Sequence, residues 1–405
     1  MANNRIELDN VFIEALPVLN KLNSTGFEAY FVGGSVRDAL LNHEVNDVDI
    51  ATSAFPNEVK KLFKKTIDVG IEHGTVLVLS GEHSYEITTF RTESTYQDFR
   101  RPDSVTFVRS LKEDLKRRDF TINALAMDGD GVIHDYFNGK EDLNSRLIKA
   151  VGIPDERFNE DALRMLRATR FAAQLDFEID RHTTEAIKKH AALLSHIAIE
   201  RIQIEFIKML LGKSKNKGLL YFIKTNLYAY CPGLDKQGLE GLISIEKPFE
   251  NEIQIWVSYL MCSTLMPTEV RGFLRSWKLS NKNIQDIETV YMTAHERLHK
   301  QISKETIYKV GKRLSLETEN VLALLKYDSN RRLVEKFYND LPIYSKKDLA
   351  ISGKDLLKLT DQKAGIWLGD LLDRVEQAVL DQEIENDYSQ ILKWITANQL
   401  IPKQK

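Results

Sequence analysis

The hydrophobic period of this chain changes once, near residue 150, and that change limits what it can fold into. Before it, short β-rich runs alternate with turn residues; after it, helix-length segments follow one another, broken by short polar or Gly/Pro turns. Glu28-Ala-Tyr-Phe-Val32 reads as a strand running into Gly33-Gly34, with a helix from Ser35 onward, and Asp47-Val-Asp-Ile-Ala51 reads as a second strand. Pro56 opens an amphipathic helix through Lys65, Pro being favoured in a first helical turn. Thr75–Ser80 and Ser84–Phe90 predict a hairpin across Gly81-Glu82-His83, and Met127-Asp-Gly-Asp-Gly-Val132 predicts a turn between short strands. Strands clustered this closely, with few helices between them, predict a small mixed sheet and not a doubly wound one. From Asn159, a candidate N-cap, to Leu175 the spacing predicts one helix; Pro232-Gly233, Pro248 and Pro267 mark later boundaries, and Ser352-Gly-Lys-Asp355 resembles a capping box. The expected fold class is therefore α+β, a small mixed-sheet head followed by an all-α remainder.

Composition narrows the class of function. At 405 residues the length suggests about two to three domains. No run approaches the roughly 18–20 apolar residues of a membrane span, and the polar start is no signal peptide. Cys231 and Cys262 are too few for a disulfide framework or a zinc cluster, which suits the cytoplasm. The net charge of −3 argues against a protein that coats nucleic acid through bulk positive charge, without excluding local basic surfaces. The charge is uneven: residues 1–150 carry 18 Lys and Arg against 24 Asp and Glu, and the remainder carries 38 against 35.

Gly33-Gly34-Ser35-Val36-Arg37-Asp38, followed by Asp47-Val48-Asp49, is the strongest local feature. Residues two apart on a strand share a side, so Asp47 and Asp49 present two carboxylates together. Their repulsion is relieved by a cation, and hard oxygen ligands suit Mg²⁺. Glycines let a backbone approach phosphate closely, a helix start supplies N–H donors, and Arg37 adds a charge-assisted contact. Either half alone reads as a tight turn or as exposed acids; together they favour a site. No Gly-Lys-Ser/Thr follows, which excludes a P-loop. Glu86, opposite in face to Tyr85 and Ile87, reads equally as a third metal-site carboxylate and as a solvated strand acid.

Arg117-Arg118-Asp119-Phe120-Thr121-Ile122-Asn123 sets Asp119 and Asn123 four apart, on one face if helical. Such a pair suits a ribose hydroxyl, with Arg118 on phosphate or base; a charged helix start is the bland alternative. In Glu160-Asp161-Ala-Leu-Arg164-Met-Leu-Arg167-Ala-Thr-Arg170, an acid and three arginines recur every three residues. Ordinary helix pairing gives such a stripe, at about 0.2–0.5 kcal/mol per pair. The sharper content is chemical: Asp161 offers only acceptors and Arg164 only donors. Cytosine and adenine both show an amino donor beside a ring acceptor, whereas uracil and guanine reverse that order. One Asp–Arg pair can thus take C and A and reject U and G without a template. Tyr96-Gln-Asp98-Phe-Arg100-Arg101-Pro102 reads as a surface loop or a mobile element near the site. The nine histidines show no HExxH spacing, and the four tryptophans, all beyond residue 250 in helical segments, read as packing residues.

Taken together, Gly-Gly-Ser-Val-Arg-Asp (33–38), Asp-Val-Asp (47–49), Arg-Arg-Asp-Phe-Thr-Ile-Asn-Ala (117–124), Glu-Asp-Ala-Leu-Arg-Met-Leu-Arg (160–167) and Glu-Arg-Ile (200–202) resemble class II tRNA nucleotidyltransferases. These are the CCA-adding enzymes of the DNA polymerase beta superfamily, and the likeness is to the bacterial single-polypeptide type. The resemblance implies that Asp47 and Asp49 hold a catalytic Mg²⁺ and that the Gly33–Arg37 turn, with Gly34 and Arg37 foremost, contacts the triphosphate. It implies that Arg118, Asp119 and Asn123 hold phosphate and ribose. It further implies that Asp161 and Arg164 read the base, that Arg167 and Arg170 add nucleotide contacts, and that Asp98 and Arg101 belong to a flexible loop turning the pocket from C to A. Glu200 and Arg201 match a neck motif with a positioning role. Implied partners are tRNA, CTP and ATP, with no membrane and with a homodimer left open. The implied division is a catalytic head at 1–148, a base-reading neck at 149–213, a body at 214–325 and a tRNA-binding tail at 326–405. The tail match is looser, Ala364 standing where the family often has Pro. Rivals are a CC-adding enzyme, a bacterial poly(A) polymerase and a non-catalytic tRNA-binding protein.

Overall fold

A computed structural model of the chain describes residues 5–93, 105–360 and 362–400. It divides into two compact units, one of residues 1–244 with 248–250 and 276–278, the other of 245–247, 251–275 and 279–405.

The first unit begins with α1 (Asn10–Ser24), whose Phe12, Ala15, Leu19 and Leu22 fall on one face and are buried. Nine strands follow: β1 (Ala29–Val32), β2 (Asp49–Thr52), β3 (Thr66–Gly70), β4 (Thr75–Ser80), β5 (His83–Thr89), β6 (Arg91–Glu93), β7 (Val105–Phe107), β8 (Leu125–Met127) and β9 (Ile133–Asp135). Seven of them form one sheet in the order β3-β4-β5-β2-β1-β8-β9, with β6 and β7 paired separately. Within it only β2 and β5 run parallel, so the expected small mixed sheet is what forms. Strand alternation divides the core. Phe31, Ile50, Ile87, Leu125 and Met127 pack with α1, while Val32, Ala51 and Ala126 pack on the other face with Phe90, Leu111, Leu115 and Val151.

Between β1 and β2 lies α2 (Gly34–Leu40), and between β2 and β3 lies α3 (Pro56–Leu62). The helix expected through Lys65 ends at Leu62, because Phe63 is extended and the chain enters β3 three residues later. That edge strand carries no alternation, being open on both faces over Ile67, Asp68 and Val69. The expected hairpin forms with a tighter turn: His83 already pairs with Ser80, and Gly81 takes the left-handed conformation. Beyond β7 come α4 (Leu111–Lys116) and α5 (Gly139–Asn144).

The same unit then turns helical, apart from β10 (Leu147–Ile148) lying parallel to β11 (Glu178–Ile179). Its helices are α6 (Pro154–Glu160), α7 (Leu163–Leu175), α8 (Arg181–His190), α9 (Ile199–Leu210), α10 (Lys215–Lys224) and α11 (Lys236–Ser244). The single helix expected from an Asn159 N-cap is therefore two helices. Pro154 starts the first one earlier, Asn159 lies near its end, and the extended Asp161 (φ −136°, ψ 103°) breaks the ladder. α7 is buried on nearly every side, packed on α9 and α10. Gly218 on α10 makes this approach feasible, since a Cβ there would stand 2.7 Å from the Thr169 carbonyl oxygen.

The second unit is helical throughout its described residues: α12 (Glu252–Cys262), α13 (Val270–Ser276), α14 (Asn281–Arg297), α15 (Lys304–Val310), α16 (Lys312–Leu324), α17 (Arg331–Asn339), α18 (Gly353–Leu357), α19 (Ile366–Leu380) and α20 (Tyr388–Ala397). Glu319, fully buried on α16, ties three helices. It accepts from Arg297 Nε at 2.7 Å and from the Asn330 backbone N–H at 2.6 Å. The capping box forms, Ser352 N–H donating to Asp355 at 3.2 Å ahead of α18. Trp256 and Trp277 are fully buried, and Trp367 and Trp394 pack against the core of α19 and α20, as expected of packing residues. Among the described residues no helix is long and apolar enough to cross a membrane.

Candidate active site

Strand register builds the front of the site. β1 pairs with β2 so that Val32 faces Asp49, which puts the Gly33-Gly34 turn beside the start of β2. Gly33 has φ +75°, a conformation open to glycine, and a Cβ there would stand 3.0 Å from Arg118 Nη1. Val48 and Ile50 are buried while Asp47 and Asp49 are exposed, so both acids face the same side. Asp47 lies two residues ahead of the first paired residue of β2, outside the strand expected to contain it. On β5, Ile87 pairs with Ile50, and Glu86 shares the open side with Asp49. Although Asp49 is open to solvent, it lines a cleft whose surrounding atoms partly desolvate it; this desolvation first, then Glu86 and Asp47, raise its carboxyl above the usual range, against an opposite pull from Arg118.

A cleft of about 770 Å³ joins this front to the helices behind it. Gly33, Gly34, Arg37, Asp49, Arg118, Asp119, Asn123, Asp161, Arg164, Arg167 and Arg170 all line it. Across the whole lining, nine Arg and Lys side chains stand against three carboxylates, an environment suited to a polyanion. Segments that sequence spacing could only suggest separately thus meet at one place.

Within the cleft most side chains are already held. Asp119 accepts from Arg167 Nε at 2.8 Å and Nη2 at 2.5 Å on one oxygen, and from Asn123 Nδ2 at 3.1 Å and the Phe120 N–H at 2.8 Å on the other. Asp119 and Asn123 do meet, but through a short 3-10 turn at Thr121–Asn123 and not along an α-helix face. Arg37 forks onto Asp38 at 2.9 and 2.8 Å and donates to Asn123 Oδ1 at 2.6 Å. Arg170 lies 3.2 Å from the buried Glu205. The Phe171 ring has the Arg170, Arg37 and Arg167 guanidiniums 4.4, 5.2 and 5.4 Å from its centroid.

Asp161 and Arg164 sit where α6 breaks into α7. Asp161 accepts from the Leu163 N–H at 3.0 Å, capping α7, and from Arg201 Nη2 at 3.1 Å. Arg164 donates to Glu160 at 2.7 Å and to the carbonyls of Arg157 at 3.3 Å and Arg117 at 2.7 Å. Their side chains face one cleft and are held by other partners, while the Arg164 backbone N–H donates to the Asp161 carbonyl at 3.1 Å: Asp161 has left the helical stripe, and Arg164, Arg167 and Arg170 keep it.

Ser35, Asp47 and Glu86 do not line the cleft, and the Ser35 hydroxyl donates to the Val32 carbonyl at 3.1 Å. Asp98 and Arg101 lie outside the described residues. Sequence reasoning missed His73, Arg91, Phe171, Gln174 and Lys208 in the lining. His73, read from sequence as a surface or core residue, is on the cleft wall; nothing in its neighbours signals that. Lys208 carried a findable signal, lying seven residues beyond Arg201 on the same helix face.

Among the described residues no group of three or more His, Cys, Asp and Glu side chains is gathered to hold an ion by itself. Asp47 and Asp49 still fit a magnesium-like cation by donor chemistry. Such an ion takes one or two carboxylates and completes its shell with water and substrate phosphate.

Asp119 gives the site a measurable acid limb. Burial alone would raise its carboxyl, but Arg167 and Asn123 overcome this and hold it at about 2 against an ordinary 3.8. A depressed carboxyl contributes stability that is present above the ordinary value and lost as pH falls through the folded one. As pH falls from about 4 to about 2, the chain is expected to lose roughly 2 kcal/mol from this group. Denaturant titrations of Asp119→Asn across that interval should lack this slope; equal slopes in the two proteins would contradict the assignment.

Known proteins match these features along the chain. The model "Poly A polymerase head domain" matches residues 29–149, "Probable RNA and SrmB- binding site of polymerase A" matches 176–237, and "tRNA nucleotidyltransferase domain 2 putative" matches 247–395. A CCA-adding enzyme of Enterococcus faecalis is 50% identical over 391 residues, 96% of each chain. One from Listeria monocytogenes is 47% identical over 96% of this chain and 99% of its own. The crystal structure of the Bacillus stearothermophilus CCA-adding enzyme in complex with CTP superposes with a TM-score of 0.88 at 38% identity, covering 97% of this chain and 98% of that one. A chain so related over nearly its whole length, with Asp49, the glycine turn and the arginine stripe around one cleft, belongs to the bacterial CCA-adding enzymes, the class II tRNA nucleotidyltransferases.

Proposed function

We propose that this chain adds C, C and A in turn to the 3′ end of tRNA, without a nucleic-acid template, using CTP and ATP and releasing pyrophosphate. The observation that carries the reading is the single cleft shared by Gly34, Asp49, Arg118, Asp161 and Arg164. The tRNA 3′-oxygen forms the new bond to the α-phosphorus as the bond to the bridging oxygen breaks. Asp47 and Asp49 would hold Mg²⁺, which when bound acidifies the attacking hydroxyl and takes up charge on the leaving pyrophosphate. Gly33, Gly34 and Arg37 receive the triphosphate, with Arg118, Asp119 and Asn123 on phosphate and ribose. Asp161 supplies the acceptor and Arg164 the donor for the base edge, and Arg167 and Arg170 add contacts to the nucleotide. In this reading residues 1–148 perform the chemistry, 149–213 read the base, and 214–325 and 326–405 carry the tRNA. Asp98 and Arg101 turn the pocket from C to A. A tRNA substrate and two free cysteines, Cys231 and Cys262, suit a cytoplasmic enzyme.

A second reading, a poly(A) polymerase, draws on the family description matched by residues 29–149. Against it, the identity to CCA-adding enzymes extends through the helical remainder. One assay separates the readings. tRNA ending at the discriminator base, at C and at CC is offered CTP and ATP, singly and together. Completion to CCA with a stop is expected; a long A tail, a stop at CC, or no extension would overturn the proposal in favour of a rival.

A further inference from the structure

Asp114 stands on α4, one turn ahead of Arg117 and Arg118, with its side chain 1% exposed. It is absent from the cleft lining, yet everything it holds is there. Its Oδ1 accepts from Arg117 Nε at 3.0 Å and Nη2 at 2.8 Å, and from the Arg91 backbone N–H at 3.3 Å. Its Oδ2 accepts from Arg118 Nη2 at 3.2 Å. Burial alone would push this carboxyl up, but the two guanidiniums hold it below the usual range, so it is ionised at neutral pH.

Two guanidiniums on consecutive residues repel each other and, left alone, separate into solvent. A carboxylate shared between them from behind the wall removes that tendency and fixes both on the cleft side. Held through Nη2, Arg118 brings Nη1 against the glycine turn, 3.0 Å from where a Cβ on Gly33 would lie. Its Nε is buried with no hydrogen-bond partner among the described residues. A buried donor left unpaired costs free energy that an anionic ligand recovers.

We propose that Asp114 is a positioning residue for the incoming nucleoside triphosphate, aiming Arg117 and Arg118 at its phosphate chain from behind the cleft wall. This rests on the reading of the cleft as a CTP and ATP site. Asp114 touches no substrate itself, and its effect passes through the guanidiniums.

The test uses the full chain with Asp114→Asn, which keeps the shape and removes the charge. KM and kcat are measured for CTP on tRNA ending at the discriminator base and for ATP on tRNA ending in CC. Inhibition by inorganic pyrophosphate and thermal stability are measured alongside. KM for both nucleotides and the pyrophosphate inhibition constant are expected to rise together about tenfold, the scale of a weakened charged hydrogen bond. kcat should change by less than about threefold on the same scale, and the choice of C and A over U and G should hold. Unchanged KM and pyrophosphate inhibition, whatever the stability, would overturn the proposal. Should the Asn variant not fold, Asp114→Glu, which keeps the charge and displaces it, is read by the same constants: a joint rise supports the proposal and unchanged values overturn it. Combined with Arg117→Gln and Arg118→Gln together, Asp114→Asn should add little further; full multiplication of the effects would show action independent of both guanidiniums and overturn the route. A wild-type chain that adds neither CMP nor AMP overturns the reading of the cleft itself. A wild-type chain that completes CCA beside a variant with unchanged constants overturns the role of Asp114 alone.

Discussion

Asp47→Ala is expected to reduce CMP and AMP incorporation by at least about a thousandfold while leaving tRNA binding within about twofold. The first figure follows from the several kcal/mol that a bound cation contributes to charge stabilisation, at about 1.36 kcal/mol per tenfold in rate. Half of the proposed cation-holding pair is lost, and the cleft's arginines cannot replace an oxygen donor. The second follows from place: Asp47 is an exposed acid at the mouth of β2, beside the glycine turn and outside the segments proposed to carry the tRNA. The structure adds a sign that separates this from general damage. Asp47 is one of the charges that raise the Asp49 carboxyl. Removing it relieves like-charge crowding, so the variant should be no less heat-stable than the parent. Single-turnover extension, tRNA filter binding and a thermal melt on the same preparation check all three. Near-normal extension by Asp47→Ala would show that the acid pair is not the catalytic one.

What could be read from sequence divides along one physical line: whether a residue's partner lies within a few positions or far along the chain. The glycine turn, the alternation of Asp47-Val48-Asp49-Ile50 and the Ser352–Asp355 capping box are local, and all were legible. The break at Asp161 was not. Residues 159–175 carry helical periodicity throughout, and what draws Asp161 aside includes Arg201, forty positions later on α9. The Asp119–Arg167 pair spans 48 positions and is equally invisible to spacing. Asp114 was hidden for the opposite reason. At three and four residues before two arginines it looks like any surface helix acid, and only its burial distinguishes it. The edge strand β3 was missed because exposure on both faces erases the alternation by which strands are recognised.

That contrast bears on Arg164, where long-range contacts decide how the expected result should look. Three hydrogen bonds, to Glu160, the Arg157 carbonyl and the Arg117 carbonyl, fix this guanidinium and leave two of its five donors for a ligand. Asp161 is fixed in turn by the Leu163 N–H and by Arg201. Donor and acceptor are thus held separately, Arg164 by α6 and the Arg117 carbonyl and Asp161 by the start of α7 and by α9, which suits the proposed reading of a base edge by fixed groups and not by a mobile ion pair. Arg164→Ala is expected to lower discrimination against UTP and GTP by about tenfold to a hundredfold, the range of one charge-assisted hydrogen bond. tRNA affinity should move far less, since nothing in the proposed base contact touches the RNA body. Arg164→Lys separates charge from shape: a point charge keeps the field of the cleft but cannot reproduce three fixed bonds and still present a donor at the base. It should therefore resemble Arg164→Ala in base choice while retaining more of the CTP affinity. Competition between CTP and UTP on tRNA ending at the discriminator base, and between ATP and GTP on tRNA ending in CC, measures the effect directly. Discrimination equal to wild type in both variants would mean that the base is chosen elsewhere than at Asp161 and Arg164.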